Sequence, residues 1–386
     1  MMSQALKTHS PRSFCAQPGQ DVSNPGALWR RGWLALSALS MTALTACEKV
    51  QRDILEPTSE SGRISAGFYN NLLLLCGVIF LIVAAVFVYA LVRFRARPGD
   101  NRVPHQTHGN TTLEIMWTIA PTLIVIGITI PTLQGVFELE KGPGEGEESL
   151  RVNVIGKQWW WEYDYVDPGN PSAVIFSTAN EIHVEEGTWV HLSLTSADVI
   201  HAWWVPNIAG KRDATPGREY PIYFKPEKAG VYIGQCAELC GSSHALMGIK
   251  IFVHPKEGSN SYDKWAEAQL ATAKAPLTME AEEGRKLFVE KSCNRCHMIR
   301  GSGLTETEIV SYRNRVRTSG PELTHVGSRT TIAALALENT RENLSYWIEK
   351  PGEVKQGAIM ADPRYNTVPV SKEEADKIAA YLFKLK

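Results

Sequence analysis

One short stretch of this 386-residue chain gathers soft metal donors: Gln235-Cys236-Ala237-Glu238-Leu239-Cys240-Gly241-Ser242-Ser243-His244-Ala245-Leu246-Met247. Cys, Cys, His and Met follow at intervals of four, four and three. Two thiolates, an imidazole and a thioether form a set that prefers copper. A mononuclear blue-copper site needs only one Cys, so the second suggests two coppers bridged by both thiolates, with a further His from elsewhere. His201, in Asp198-Val199-Ile200-His201-Ala202-Trp203-Trp204, is the best-placed candidate. The alternatives are a Cys236–Cys240 disulfide and a zinc site. A disulfide leaves His244 and Met247 without a role, and Met is a poor zinc ligand.

A second constellation is Cys293-Asn294-Arg295-Cys296-His297. C-x-x-C-H is the pattern of c-type haem attachment, with two thiols for the vinyl groups and an adjacent His for the iron. A redox dithiol needs no such His, and the surroundings do not read as a βαβ unit. Electron-transfer haems of this kind usually take Met as sixth ligand. Downstream only Met298 and Met360 are available. Met298 adjoins His297 and cannot reach the opposite haem face, which leaves Met360, with His325 as the competing ligand.

Positioning these groups falls to three kinds of element. Arg30 and Arg31 precede an apolar stretch ending Leu44-Thr45-Ala46-Cys47, which reads as an export signal over 1–46. Leu72 to Val92 and Ile115 to Leu133 carry no charge and are long enough to span a bilayer, although Pro121 and Pro131 should bend or end the second. Arg93, Arg95, Arg97 and Arg102 between them place that loop in the cytoplasm and the rest of the chain outside. Glu114 at the second helix start is a dipole partner or a proton-uptake point. An acidic, Gly-rich link follows. Arg151 to Ile155, His183 to Glu185 and Val190 to Thr195 then alternate as strands of a sandwich or small barrel. Residues 256–280 read as a helical linker and the last hundred as helices. The final helix opens with a Ser371/Glu374 capping box and buries Ala375, Ile378, Ala379, Leu382 and Leu385.

Charge is balanced, with 40 Lys and Arg against 41 Asp and Glu, which removes the electrostatic basis for nucleic-acid binding.

The hairpin with Leu113-Glu114-Ile115-Met116-Trp117-Thr118-Ile119-Ala120-Pro121, the β region and the Cys-Ala-Glu-Leu-Cys-Gly-Ser-Ser-His-Ala-Leu-Met motif resemble cytochrome c oxidase subunit II. The region from Ala281, with Gly320-Pro321-Glu322-Leu323 and the haem motif, resembles a class I cytochrome c. The Leu44-Thr45-Ala46-Cys47 ending resembles a bacterial lipoprotein box, so the expected layout is a multidomain membrane protein with a signal peptide over 1–46 and Cys47 lipidated. The family resemblances imply a two-helix transmembrane hairpin over 62–136, an all-β cupredoxin-like domain over 150–255 and, after a linker over 256–280, an all-α class I cytochrome c domain over 281–386. The oxidase resemblance further implies a dinuclear CuA centre in which Cys236 and Cys240 bridge both coppers. His201 and Met247 would complete one copper, and His244 and the backbone carbonyl of Glu238 the other. The Glu238 side chain would ligate Mg²⁺ at the border with the catalytic subunit. Glu114 matches the mouth of a proton path. Trp159, first of Trp159-Trp160-Trp161, matches the point where electrons reach copper. Asp198 and Glu162 match acidic residues that dock a basic cytochrome.

The expected function is the electron-input subunit of a caa-type, proton-pumping haem–copper oxidase in a bacterial inner membrane, with both soluble domains periplasmic. One covalent haem c, held by Cys293, Cys296, His297 and Met360, would feed CuA. Oxidase subunit I, further subunits, membrane lipid and an external cytochrome c or quinol–cytochrome c reductase are the implied partners. The rivals are a membrane-tethered carrier without catalytic partner and a CuA-containing nitrogen-oxide reductase subunit. Quinol-oxidase subunits lack the two thiolates.

Overall fold

Residues 52–95, 108–273, 278–301, 320–365 and 368–386, with Gly99, Val103 and Gln106, are described by a computed structural model. The segment 1–46, Cys15, Cys47, Arg97 and Arg102 lie outside the described residues.

Helices α1 (Glu60–Arg93) and α2 (Thr111–Leu139) are long and apolar enough to cross a membrane, and their apolar side chains face outward. Neither proline ends α2. Each removes one backbone hydrogen bond. In an apolar surround no water replaces the remaining ones, so the helix keeps them. The helices approach closely where Gly135 faces Phe68, since a Cβ there would lie 2.2 Å from the ring. The base of α1 is plugged into the β domain. Ser59 caps it by accepting from the Gly62 N–H and donates its own hydroxyl to the Ile208 carbonyl. Ser61 donates to the Tyr223 carbonyl at 3.0 Å.

Ten strands build a sandwich: β1 (Ser149–Lys157), β2 (Trp160–Asp167), β3 (Asn170–Ala179), β4 (Glu181–Glu185), β5 (Trp189–Ser196), β6 (His201–Trp204), β7 (Arg212–Ala214), β8 (Tyr220–Phe224), β9 (Gly230–Cys236) and β10 (Gly248–His254). One sheet runs β3-β2-β1-β5-β8 and the other β4-β10-β9-β6-β7. The pairs β1/β5 and β4/β10 are parallel, the rest antiparallel. The alternation read from β1 and β5 points Val152, Val154, Leu192 and Leu194 into a core shared with Trp161, Tyr163 and Trp203. This is the cupredoxin-like layout.

The segment expected as a linker contains helix α3 (Tyr262–Leu270), which packs on the sandwich. Its Trp265 stacks on His183 at 4.1 Å between ring centroids. Beyond it come α4 (Met279–Glu290), the small ladder β11 (Thr331–Ile332) with β12 (Leu337–Glu338), then α5 (Arg341–Glu349), α6 (Pro351–Val354) and α7 (Lys372–Leu382). That ladder is the one departure from an all-α reading among the described residues. Helices α4 and α7 cross with Gly284 against the Lys377 carbonyl, where a Cβ would lie at 1.9 Å. Both hydrogen bonds of the Ser371/Glu374 capping box form; Ala375, Ile378, Ala379 and Leu382 of α7 are buried, and Leu385 is buried just past the helix end, which comes at Leu382.

His183 and His254 share a hydrogen bond, Nδ1 to Nε2 at 2.8 Å, while His254 Nδ1 reaches the Asn260 carbonyl at 2.9 Å. That carbonyl can only accept, so His254 carries its proton on Nδ1 and its Nε2 accepts from His183. Burial first, then His254 and Arg329, push His183 well below its ordinary 6.5; burial also lowers His254. Both are therefore neutral in the fold, and the unfolded chain binds more protons once the pH drops below the ordinary value. Stability from this pair is complete above that value and declines below it. The thermal midpoint of the β domain, followed by tryptophan near-UV dichroism, should fall between about pH 7 and pH 5. The fall should be smaller in His183→Phe; an equal fall would assign the pH dependence to other groups.

Candidate functional site

The soft donors converge at one end of the sandwich. His201 opens β6, Cys236 ends β9, and Cys240, His244 and Met247 lie on the loop from β9 to β10. The two sulfurs are 3.8 Å apart, beyond any disulfide, and both cysteines are buried and free. Cys236 Sγ lies 3.9 Å from His201 Nδ1 and 3.3 Å from the Glu238 carbonyl oxygen. Cys240 Sγ lies 3.5 Å from His244 Nδ1 and 3.9 Å from Met247 Sδ. Six donors thus surround one small volume, and this set of sulfur, imidazole and carbonyl groups fits copper better than zinc. Among the described residues, His201, Cys236 and Cys240 are the only trio of acidic, His or Cys side chains close enough to share an ion.

Electrostatics favours a cation here. The Cys240 thiol donates to Cys236 and holds that thiol well below its ordinary range, against the opposing effect of burial. The resulting hydrogen bond and burial push Cys240 far up. A second thiolate therefore needs positive charge between the sulfurs. For His201, burial lowers proton affinity, but Asp198 and Cys236 more than offset it. Asp198 Oδ1 meets His201 Nε2 at 2.8 Å, and its Oδ2 accepts from the Gln158 N–H at 2.7 Å. This carboxylate fixes the ring so that Nδ1 faces Cys236. Gly156 makes room, since a Cβ there would lie 2.7 Å from the ring.

The haem motif faces a cavity of about 210 Å³ lined by Cys293, Cys296, His297, Met360 and mainly apolar side chains. His297 Nδ1 donates to the Pro321 carbonyl at 2.9 Å, which leaves Nε2 for a metal. Burial lowers His297, opposed by that bond, so it is neutral as a ligand must be. Gly320 admits the ring, since its Cβ would fall 2.3 Å from His297 Cε1. Burial pushes the Cys293 thiol up to about 11, the reverse of an activated redox dithiol. Met360 lines the cavity, whereas the competing His325 points Nε2 at the Ala271 carbonyl, 3.0 Å away.

Trp159 stands between the two sites. It lines the haem cavity, and its indole N–H donates to the Cys240 carbonyl at 3.0 Å. Gln158 Nε2 reaches the same carbonyl at 2.7 Å. Trp161 is fully buried in the core of the sandwich. Glu162 departs from its expected docking role: it is buried and paired with Lys157 at 2.6 Å, so it offers no free charge to a partner. Glu238 is half-buried, and Glu114 lies exposed in the first turn of α2. Sequence reasoning missed Lys355, a buried cation donating to the Trp159 and Ala333 carbonyls.

Family models match three segments: "Cytochrome C oxidase subunit II, transmembrane domain" over 56–134, its "periplasmic domain" over 150–253, and "Cytochrome c" over 281–386. The chain is 34% identical to cytochrome c oxidase subunit 2 of Alkalihalophilus pseudofirmus, over 93% of this chain and 98% of that protein. It is 31% identical to the Bacillus subtilis protein of the same name, again over 93% and 98%. The crystal structure of the periplasmic domain of cytochrome oxidase subunit II from Bradyrhizobium japonicum is 34% identical over 31% of this chain and 88% of that one, with a TM-score of 0.26.

The Asp198–His201 bond carries a direct test. Asp198→Asn removes the charge that orients the imidazole, and copper affinity, measured by chelator competition on the copper-depleted chain, should drop roughly 10–100-fold. Unchanged affinity would show that the ring needs no such anchor.

Proposed function

The chain belongs to the cytochrome c oxidase subunit II family, and from that premise we propose that it is the electron-input subunit of a caa-type haem–copper oxidase, carrying electrons from its own haem c to a dinuclear CuA centre. The family makes it a subunit of an oxidoreductase, and the matched domains imply copper and haem c. Cys236 and Cys240 would bridge the coppers. His201 and Met247 would hold one, His244 and the Glu238 carbonyl the other. Cys293 and Cys296 would bind one haem covalently, with His297 and Met360 at its iron. Each centre, when bound, exchanges one electron without changing ligands.

The observation that carries this reading is the double role of Trp159, which walls the haem cavity and hydrogen-bonds the backbone of a bridging cysteine. A protein serving two unrelated cofactors has no reason to share one side chain between them. Burial of His201, Cys236, Cys240 and Met247 keeps water from most of the copper donors and limits reorganisation when charge moves.

Further parts of the proposal rest on the sequence. Glu114 would stand at a proton-path entrance for a pumping enzyme. The Glu238 side chain would meet Mg²⁺, with the remaining ligands from the catalytic subunit. Cys47 would carry lipid, and the membrane would be the bacterial inner membrane. An external cytochrome c or quinol–cytochrome c reductase would supply electrons.

Two variants test the assignments in the purified complex. Cys240→Ser should abolish the mixed-valence copper signal in optical and EPR spectra and leave the haem band intact; a surviving signal would overturn the bridging assignment. Trp159→Phe should retain both spectra and slow haem-to-copper transfer roughly tenfold, through loss of the Cys240 contact and of its alignment. An unchanged rate would move the point of electron input elsewhere.

A further inference from the structure

Lys355 follows α6 in the haem-binding domain, yet its ammonium ends on the other domain. It is only 3% exposed, and its Nζ donates to the Trp159 carbonyl and, at 3.2 Å, to the Ala333 carbonyl. Among the described residues no carboxylate pairs with it, and burial pushes it down to about 7 against the opposing pull of Cys240. A cation hidden this way costs stability. For stability alone an apolar side chain of the same length would do as well. What an apolar chain cannot do is donate to two carbonyls from different domains.

Everything around Lys355 points to the same seam. Ala333, Ala334 and Leu335 hold positive φ angles of 51°, 57° and 68°, a left-handed run that L-residues rarely adopt. It is held from outside: Lys355 takes the Ala333 carbonyl, and the Gly248 N–H takes that of Ala334 at 3.1 Å. The neighbouring Gln356 carbonyl accepts from Ser243, on the copper loop, at 2.8 Å. Gly357, at φ 82°, lies against the far side of Trp159, where a Cβ would sit 2.8 Å from Cη2.

We propose that Lys355 is the positioning residue that docks the haem-binding domain on the turn between β1 and β2, beside the copper loop, gripping the Trp159 backbone so that haem cavity and copper site share one fixed wall. The consequence for electron transfer rests on the reading of Trp159 above; the docking role does not.

The test uses the full-length oxidase complex and two readouts. In Lys355→Met, hydrogen exchange at the Gly248 amide and across 330–335 should accelerate at least roughly tenfold, in the copper-depleted form as well as the loaded one. Haem-to-copper transfer should slow by roughly tenfold or more, with both optical spectra unchanged. Gly357→Ala, which presses on Trp159 from the same domain, should move both readouts the same way and stands in should Lys355→Met fail to fold. Wild-type exchange would overturn the docking role. Faster exchange with wild-type transfer would overturn the positioning role. If Trp159→Phe transfers normally while Lys355→Met still exchanges fast, the reading of Trp159 fails and the dock stands.

Discussion

Two thiols 3.8 Å apart in a buried site cannot both ionise unaided. The first thiolate forms readily because its neighbour donates to it, and in forming it holds the second proton in place. Only cationic charge between the sulfurs releases that proton, and much of the molecule can be understood as building around that requirement. The β9–β10 loop returns within a dozen residues to bring His244 and Met247 to the same volume. Asp198 turns His201 toward it from the neighbouring strand. The sandwich core beneath, with Trp161 and Trp203 fully buried, fixes the strands from which these side chains project.

The Cys240 carbonyl is the second consequence. It accepts from both Gln158 and Trp159. The loop that holds the donors is thereby tied to the turn between β1 and β2. That turn is in turn gripped from the haem-binding domain through Lys355. Glu181 extends the same contact, accepting from the backbone and hydroxyls of Thr330 and Thr331 at 2.6–3.1 Å. The two sites are joined through hydrogen-bonded backbone.

What could be read in the sequence was what is local. Cys236 to Met247 and Cys293 to His297 are short motifs, so their chemistry is legible without a fold. His201 was within reach because its residue type is scarce and a strand edge precedes the motif. The period of two in β1 and β5 and the capping box of α7 are likewise local and were met. Glu162 was read as surface charge because nothing in the sequence indicated that Lys157, five residues earlier, folds back across β1 and β2 to pair with it. Pro121 and Pro131 were expected to bend or end the second span; the helix continues through both, since an apolar surround offers no water to replace its remaining backbone bonds. Lys355 left no signal at all. Lysine is exposed by default, and its partner carbonyl lies 196 residues away.

The buried Lys157–Glu162 pair also bears on how a fused donor changes an interface. A diffusing basic partner is captured by long-range charge, which must face solvent to act. A donor on the same chain is already present at high effective concentration, so steering charge adds little. Here the acidic residue that resembles a docking group is turned inward and neutralised. Short-range contacts take over: an ammonium on two carbonyls, a carboxylate on two threonines, a glycine against an indole. Such contacts contribute nothing at a distance but fix orientation once made. On the proposed reading, that exchange is what fusion permits: recognition by capture gives way to registration by fit, and the cost of a buried cation becomes tolerable because it never has to be assembled from two molecules.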